Sequence, residues 1–490
     1  MSEEILINVT THESRVAVVE GGMLQEVQVE RVLKRGYVGN IYKGRVTRVM
    51  PGMEAAFVDA GLDRAGFLHG GDIMPAEPLA MVDGEAPAQE PPINALVHEG
   101  QDLVAQVIKD PIGSKGARLS AYLSIPSRYL VLLPHARSVG VSMRIDDEDE
   151  RQRLRSMLEP RSAERGVGYI ARTNAAGLDA EALAEDVAYL DKLWQSLREA
   201  AAGAVVGDCI YEELSLPLRA LRDLLREDVE KVRIDAPEVY EQARAFAGRF
   251  MPALVDRIEH YTGSQPIFDL YGVEDEIKRA LNTLVPLKSG GSLVIDQTEA
   301  MTTVDVNTAR FVGHRNLEET AFRTNLEAAQ AAARQMRLRN LGGIIIIDFI
   351  DMHDAEHRRQ VLRALEKALA RDRVKTTVYP ISPLGLVEMT RKRTTESLAR
   401  QLCEACPSCG GRGRQKTTET VTYEIFREIV RAVRQFEAAR LLVLASPAVV
   451  ERITDEESVA VAELQESIGK TIRFQAEDQY AQEQFDVVLL

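Results

Sequence analysis

The chain has 490 residues, 45% of them hydrophobic and 28% charged, a balance that suits a globular protein of roughly three to four domains. Four cysteines are too few for a disulfide framework. With no apolar run near the ~18 residues of a membrane span and no apolar signal core behind the acidic Met1-Ser2-Glu3-Glu4 start, the expectation is a reduced, cytoplasmic protein with no membrane partner. The net charge of −15 repels polyanions as a whole, so contact with nucleic acid would have to come from local patches.

Residues 5–30 alternate apolar and polar positions (Val16, Val18, then Val27, Val29) around Gly21-Gly22, which predicts a hairpin. From Tyr37 to about Ser124, short glycine-punctuated strands (Val38 to Val46, Glu54 to Asp59, Gly66 to Leu68) predict a small barrel, broken by a loop carrying Pro75, Pro78, Pro87, Pro91 and Pro92. Residues 125–215 mix strands, Arg128 to Leu133 and Val167 to Arg172, with a helix around 178–203 that holds the single tryptophan, Trp194. Helices near 217–228 and 237–248 follow.

The pattern turns α/β from Ser292. Strands 292–296 and 301–306 are expected to pair. Asn316 can cap a long helix with Glu319 at the capping-box position, Phe322, Leu326, Ala329, Ala333 and Met336 lie on one face, and Gly342-Gly343 ends it. Ile344 to Ile347 reads as a strand buried on both faces, followed by a helix from about Ala355 to Arg371 and a strand from Val374 to Ile381.

Two carboxylates sit at the tips of hydrophobic strands: Asp305 in Thr303-Val304-Asp305-Val306-Asn307 and Asp348 after the four isoleucines. Such an edge is where α/β proteins place ligands, and two hard oxygen donors on rigid strands suit Mg²⁺, which fills the rest of its octahedron with water and phosphate. The bland alternative makes both residues strand ends or turn formers, as Asp351 is read. A second motif, Cys406-Pro407-Ser408-Cys409 followed by glycines, has the form of a zinc knuckle, with a redox Cys-x-x-Cys as the alternative. Structural Zn²⁺ wants four ligands and the knuckle offers two or three, counting Cys403, so the rest would come from a second copy in a zinc-linked homodimer. Phe57 and Phe67 could stack bases while Lys43, Arg45 and Lys115 track phosphates, or the rings could simply fill the barrel core. Arg144 and Arg172, beside Ser142 and Thr173, could fork a phosphate or pair with surface acids. No P-loop or nucleophile elbow is present, and His353/His357 do not meet His-Glu-x-x-His.

Together these segments resemble the bacterial RNase E/G endoribonucleases, with length and order as in the RNase G branch. The resemblance covers Val38–Val46, Glu54–Leu68, Gly113–Ala117, Tyr129–Leu133, Val141–Ile145, Ile170–Thr173, Tyr261–Gly263, Gly290–Glu299, Thr303–Asn307, Glu318–Glu327, Arg337–Met352 and the Cys-Pro-x-Cys-x-Gly-x-Gly linker. It implies an α/β multidomain fold: an OB-type β-barrel (39–125) inserted in an RNase-H-like domain (1–38 and 218–281), and a 5′-phosphate sensor (126–217). A DNase-I-like α/β catalytic domain (282–401), a zinc linker (402–416) and a small α/β C-terminal domain (417–490) complete it. The implied roles are Mg²⁺ held by Asp305 and Asp348 with Asn307 orienting the site, an RNA channel lined by Phe57, Phe67 and Lys115, a 5′-monophosphate pocket of Arg144, Arg172 and Thr173, and Zn²⁺ shared by Cys406 and Cys409 of two chains. The implied substrate is single-stranded RNA, including rRNA precursors and mRNA, cut to 5′-phosphate and 3′-hydroxyl ends by a homodimer or higher homo-oligomer. Two competing readings are a non-catalytic RNA-binding scaffold and a metal-dependent DNA phosphodiesterase.

Overall fold

The computed structural model describes residues 2–73, 91–111, 115–226, 228–308 and 317–490. The Asn316 cap, most of the proline-rich loop and the segment around Gly113 lie outside the described residues. The chain forms two compact units, residues 1–401 and 402–490.

Within the larger unit, the predicted hairpin is Glu13–Glu20 against Met23–Arg31, joined through Gly21 and Gly22, both at positive φ. It extends a five-stranded sheet whose other members are Glu3–Val9, Val229–Ile234 and Ile258–His260. The first strand pairs in parallel with Val229–Ile234, so chain segments more than two hundred residues apart share one core of Ile5, Ile7, Val16, Val18, Val232 and Ile234. Sequence reasoning missed Val229–Ile234, because Glu230, Lys231 and Arg233 break up its apolar content and its register partner is so distant.

The intervening residues build a closed five-stranded barrel and a four-stranded sheet. The barrel runs Ile41–Met50, Ala55–Asp59, Gly66–His69, Arg118–Ser120 and Asp102–Lys109, and the last strand pairs back onto the first. Closure removes the sheet's free edges and makes an OB-like barrel. Val46, Ala56, Val58, Leu68, Val107 and Leu119 fill it. The second sheet places Val139–Val141 in parallel beside Gly168–Ala171, followed by Leu130–Leu133. The helices Glu148–Arg165, unforeseen from sequence and capped by Asp147, and Ala180–Gly203 contribute Leu154, Leu158, Leu183 and Leu190 to its core.

Residues 284–391 form a six-stranded mixed sheet in the spatial order Leu284–Pro286, Ser292–Gln297, Met301–Asn307, Gly343–Asp348, Leu386–Arg391, Thr376–Val378. Met301–Asn307 and Gly343–Asp348 run parallel, and the other neighbouring strands pair antiparallel. The crossover between the parallel strands is the helix Leu317–Leu338, which packs with Ala355–Leu369 on one face of the sheet through Ala329, Ala333, Met336, Val361 and Leu365. The other face is open. Ile345 and Ile347 are fully buried while Ile344 is 48% exposed, so the isoleucine run is covered on one side only. Four consecutive apolar residues hid the period-2 alternation that would have revealed this.

The helix before that strand ends at Leu338, earlier than the glycines suggested: Asn340 takes the left-handed conformation (φ 48) and Leu341 N donates to Met336 O at 3.0 Å. This is a Schellman-type closure with asparagine in the usual glycine position. Gly343, also at positive φ, serves packing instead, since a Cβ there would come within 2.8 Å of Arg393 Nε. The buried pair Arg391–Asp372 (2.7 Å) ties the sheet to the segment after the second helix, and Arg391 Nη1 also donates to Leu341 O.

The smaller unit carries a three-stranded sheet, Thr471–Ala476, Arg440–Ala445 and Phe485–Leu489, with the helices Thr418–Gln435, Pro447–Asp455 and Ser458–Ile468. Its core is Val421, Ile425, Ile429, Leu441, Val443, Val449 and Ile453.

Candidate active site and RNA-contact surfaces

Along Met301–Asn307 the even-numbered residues are buried and the odd-numbered ones exposed, so Asp305 and Asn307 project from the open face. The parallel register sets Asp305 directly beside Asp348. Two carboxylates thus stand side by side on neighbouring strands, a geometry that hydrogen-bonded sheet holds far more rigidly than a loop would. Asn307 Nδ2 donates to Asp305 Oδ2 at 2.8 Å, which fixes one of the two. Burial raises the Asp348 pKa above its ordinary value, and the Asp305 and Asp351 charges add to that rise. The pair is therefore short of positive charge. Its donor set fits a hard divalent cation that keeps most of its ligands as water and phosphate. Among the described residues no group of three or more His, Cys, Asp or Glu gathers as a metal site.

Phe57 and Phe67 are register partners on adjacent barrel strands, with ring centroids 6.0 Å apart in an edge-to-face arrangement. Both are half-buried and lie outside the barrel core, which takes their neighbours Ala56, Val58 and Leu68 instead. Among the described residues, neither ring belongs to the buried core of the barrel. Register continues the row to Arg48 on one side and Arg118 on the other, a pair that sequence reasoning missed because only strand pairing brings them beside the rings. Lys115 is exposed. Arg45 is bound to Asp102 at 2.6 Å, and Lys43 Nζ donates to Ala201 O.

Ser142 and Arg172 follow two parallel strands that end together, where Val141 faces Ala171. Ser142 and Thr173 hydroxyls are 3.3 Å apart. Arg144, Arg172 and Thr173 line one cavity of about 1240 Å³. Arg172 is not idle there: one guanidinium nitrogen donates to Asp223 Oδ1 and another to Ser127 O, each at 2.6 Å. Burial pushes the Asp223 carboxyl up, but Arg222 and Arg172 together hold it below the ordinary value. Arg144 donates to Asp372 O at 3.1 Å.

In the smaller unit, Cys403 and Cys406 are exposed and Cys409 is half-buried. Backbone amides of Cys409 and Ser408 lower the Cys406 thiol pKa, as a thiolate-binding turn should. Gly410, Gly411 and Gly413 all take positive φ, which lets the chain double back past the sulfurs.

Residues 124–394 match the Ribonuclease E/G family, and residues 405–489 match the RNase E/G thioredoxin-like domain. The chain is 54% identical to Ribonuclease G of Salmonella typhimurium (strain SL1344) over 490 residues, all of both proteins. It is 52% identical to Ribonuclease G of Haemophilus influenzae over 488 residues, 99% of each. With Ribonuclease E of Escherichia coli (strain K12) it shares 41% identity over 438 residues, 87% of this chain and 40% of that protein.

The chain belongs to the ribonuclease E/G family.

The resemblance read from the motifs holds, and within the family it runs end to end with the ribonuclease G proteins. The enzyme class follows with it, an endoribonuclease. The match at 405–489 also assigns the small C-terminal α/β region a thioredoxin-like domain.

Two further residues of this family member secure the carboxylates. Asn325, fully buried in the crossover helix, donates to Ile350 O (2.8 Å) and accepts from Ile350 N (3.0 Å), clamping the chain two residues beyond Asp348. Losing a buried pair of this kind costs about 1–3 kcal/mol for each group left unsatisfied. Glu318, in the first turn of that helix, accepts from the amides of His353 and Asp354, and these hold its carboxyl below the ordinary value. His357, which faces Glu318 at 3.3 Å, stacks on Phe322 with centroids 4.1 Å apart. The available sequence signal was Asn325 itself, a poor helix former amid alanines.

The raised pKa of Asp348 fixes a sign. Protonated Asp348 suits the fold better than ionised Asp348, so this group's contribution to stability is present below the unfolded value and lost as pH rises through the folded one. Asp305→Asn removes one of the two neighbouring negative charges. In chelator-treated protein it should lower the Asp348 pKa, followed by ¹³C NMR of the carboxyl, and raise the urea midpoint at neutral pH. An unchanged Asp348 titration would show that the two carboxylates do not interact.

Proposed function

We propose that this endoribonuclease cuts single-stranded RNA at the Asp305–Asp348 pair with a bound Mg²⁺, and that it favours RNA carrying a 5′-monophosphate. The observation that carries the first part is the register of the two carboxylates, side by side on one exposed face. A hard divalent cation bound there would supply Lewis-acid neutralisation of the phosphate oxygens and a more acidic water. Asp305 and Asp348 would bind and orient it, and Asn307 would keep the Asp305 carboxylate in place. Water would add to phosphorus as the bond to the 3′ oxygen breaks, leaving a 5′-phosphate on one product and a 3′-hydroxyl on the other.

The half-exposed Phe57–Phe67 pair between Arg48 and Arg118, with Lys115 nearby in the chain, supports an RNA channel in which rings stack on unpaired bases. Messenger RNA and rRNA precursors are the substrates this family reading implies. Asp305→Asn and Asp348→Asn should each abolish cleavage of a short labelled RNA while sparing most of its affinity, because binding energy comes from phosphate and base contacts elsewhere. Near wild-type cleavage by either variant in millimolar Mg²⁺ would remove the metal assignment, and equal cleavage of matched DNA would favour the phosphodiesterase reading.

For the 5′ end, Arg172, Thr173 and Arg144 around one cavity support a pocket for a terminal dianion. Arg172 already has Asp223 as its anion, so an incoming phosphate would have to compete with that carboxylate. Arg172→Ala should slow 5′-monophosphorylated RNA by about ten- to a hundredfold, the value of one charge-assisted contact, and leave 5′-hydroxyl RNA nearly unchanged. Arg172→Lys, which keeps the charge without the fork, should fall between. Equal slowing of both RNAs would make Arg172 a support for the fold alone.

The Cys406–Cys409 turn supports a Zn²⁺ site completed by the same pair of a second chain in a homodimer or higher homo-oligomer. Native mass spectrometry should find about one zinc per two chains, and Cys406→Ser or Cys409→Ser should release both the metal and the partner. A monomer holding its own zinc would sink the shared site.

A further inference from the structure

The open face of the 284–391 sheet has a composition that limits how RNA can bind beside the cut. Register aligns Leu284, Val294, Asp305, Asp348 and Leu386 in one row across five strands. The adjoining row runs Asp296, Thr303, Ile346, Glu388. Among the described strand residues on this face there is no lysine or arginine, while Asp296, Asp305, Asp348 and Glu388 are all exposed. The phosphate backbone gains nothing from these strand side chains, so contacts to bases are what this face itself can offer.

One aromatic ring is placed to make such a contact. Tyr379 N donates to Glu388 O at 2.9 Å, which continues the ladder of Thr376–Val378 by one residue and sets Tyr379 opposite Glu388. Val378 packs into the core beneath the sheet, so Tyr379 lies on the open face with Glu388 and Ile346. Its side chain is 50% exposed. Two strand spacings across and two residues along put its Cα roughly 12 Å from that of Asp348, a gap that a tyrosine side chain and about two nucleotides span. The turn beyond it is held in shape: Ser382 N donates to Leu386 O (2.8 Å), Gly385 N to Ser382 O (2.9 Å), and Pro380 and Pro383 restrict the backbone. The backbone that carries the ring is thereby fixed, and stacking has only the two side-chain torsions of Tyr379 to order.

We propose that Tyr379 stacks on the base of a nucleotide within two positions of the scissile phosphate and is a specificity-determining residue; this rests on the reading of Asp305 and Asp348 as the site of cutting. The occupant is the RNA strand because the face is continuous, by register, with the carboxylate pair.

The experiment measures kcat/KM for full-length protein on a single-site RNA and on versions with one abasic nucleotide at each of two positions either side of the cut. With wild type, one abasic position should lower kcat/KM by roughly five- to a hundredfold, the usual worth of one stacked base. Tyr379→Ala and Tyr379→Leu should show that loss on intact RNA and no further loss at that position, while Tyr379→Trp should keep wild-type behaviour. Wild-type rates for Tyr379→Leu, or losses that multiply with the abasic effect at every position, would overturn the proposal. So would an equal loss on all RNAs accompanied by dissociation of an oligomer, which would make this face a contact between copies. Retained cleavage by Asp305→Asn would instead show that the underlying reading of the site had failed.

Discussion

The parallel register that sets Asp305 beside Asp348 is the constraint on which the candidate site depends. Parallel pairing of Met301–Asn307 with Gly343–Asp348 sets the two residues in neighbouring positions on one face, and their Cα atoms cannot separate without breaking the ladder. Parallel strands need a crossover, and the crossover helix Leu317–Leu338 covers the opposite face and supplies Asn325 and Glu318 to pin the segment after Asp348. The two strands are held in this register by the packed core beneath them. A perturbed carboxylate beside a second one is a common mark of a functional site.

Charge is distributed unevenly over this acidic chain. The open face of the 284–391 sheet carries carboxylates and apolar side chains, whereas arginines such as Arg144, Arg172, Arg373 and Arg393 line the large cavity of the same unit. The barrel adds Arg48 and Arg118 beside two half-exposed rings. Under the proposed function these surfaces would do different work on a polyanion: cations and rings would hold the strand, and the carboxylate face would be where a bound cation neutralises charge.

Much of this was legible in the sequence. The hairpin around Gly21-Gly22, the barrel strands, the pairing of 292–297 with 301–307 and the helix face through Ala329, Ala333 and Met336 followed from periodicity and turn chemistry. The carboxylates were visible as acids terminating apolar runs. Three kinds of information were not. The pairing of Glu3–Val9 with Val229–Ile234 has no local trace, and only the family resemblance, which puts 1–38 and 218–281 in one domain, brought the two segments together. The one-sided burial of Ile344 to Ile347 was hidden because all four residues are apolar and only the packing of two helices on one face distinguishes them. The engagement of Arg172 with Asp223 depends on a helix fifty-one residues away in sequence. Family resemblance located these residues without describing what they touch.

The central claim is that Asp305 and Asp348 act as one cation site. Titration of the chelated protein with Mn²⁺ as a Mg²⁺ surrogate, followed by electron paramagnetic resonance, tests it most directly when Asp305→Asn, Asp348→Asn and the double variant are compared. The account predicts one binding event at the catalytic unit that either single substitution removes, with the double variant no weaker than the singles, because residues of one site are strongly non-additive. Independent losses that simply add, or a full-strength site in either single variant, would contradict it.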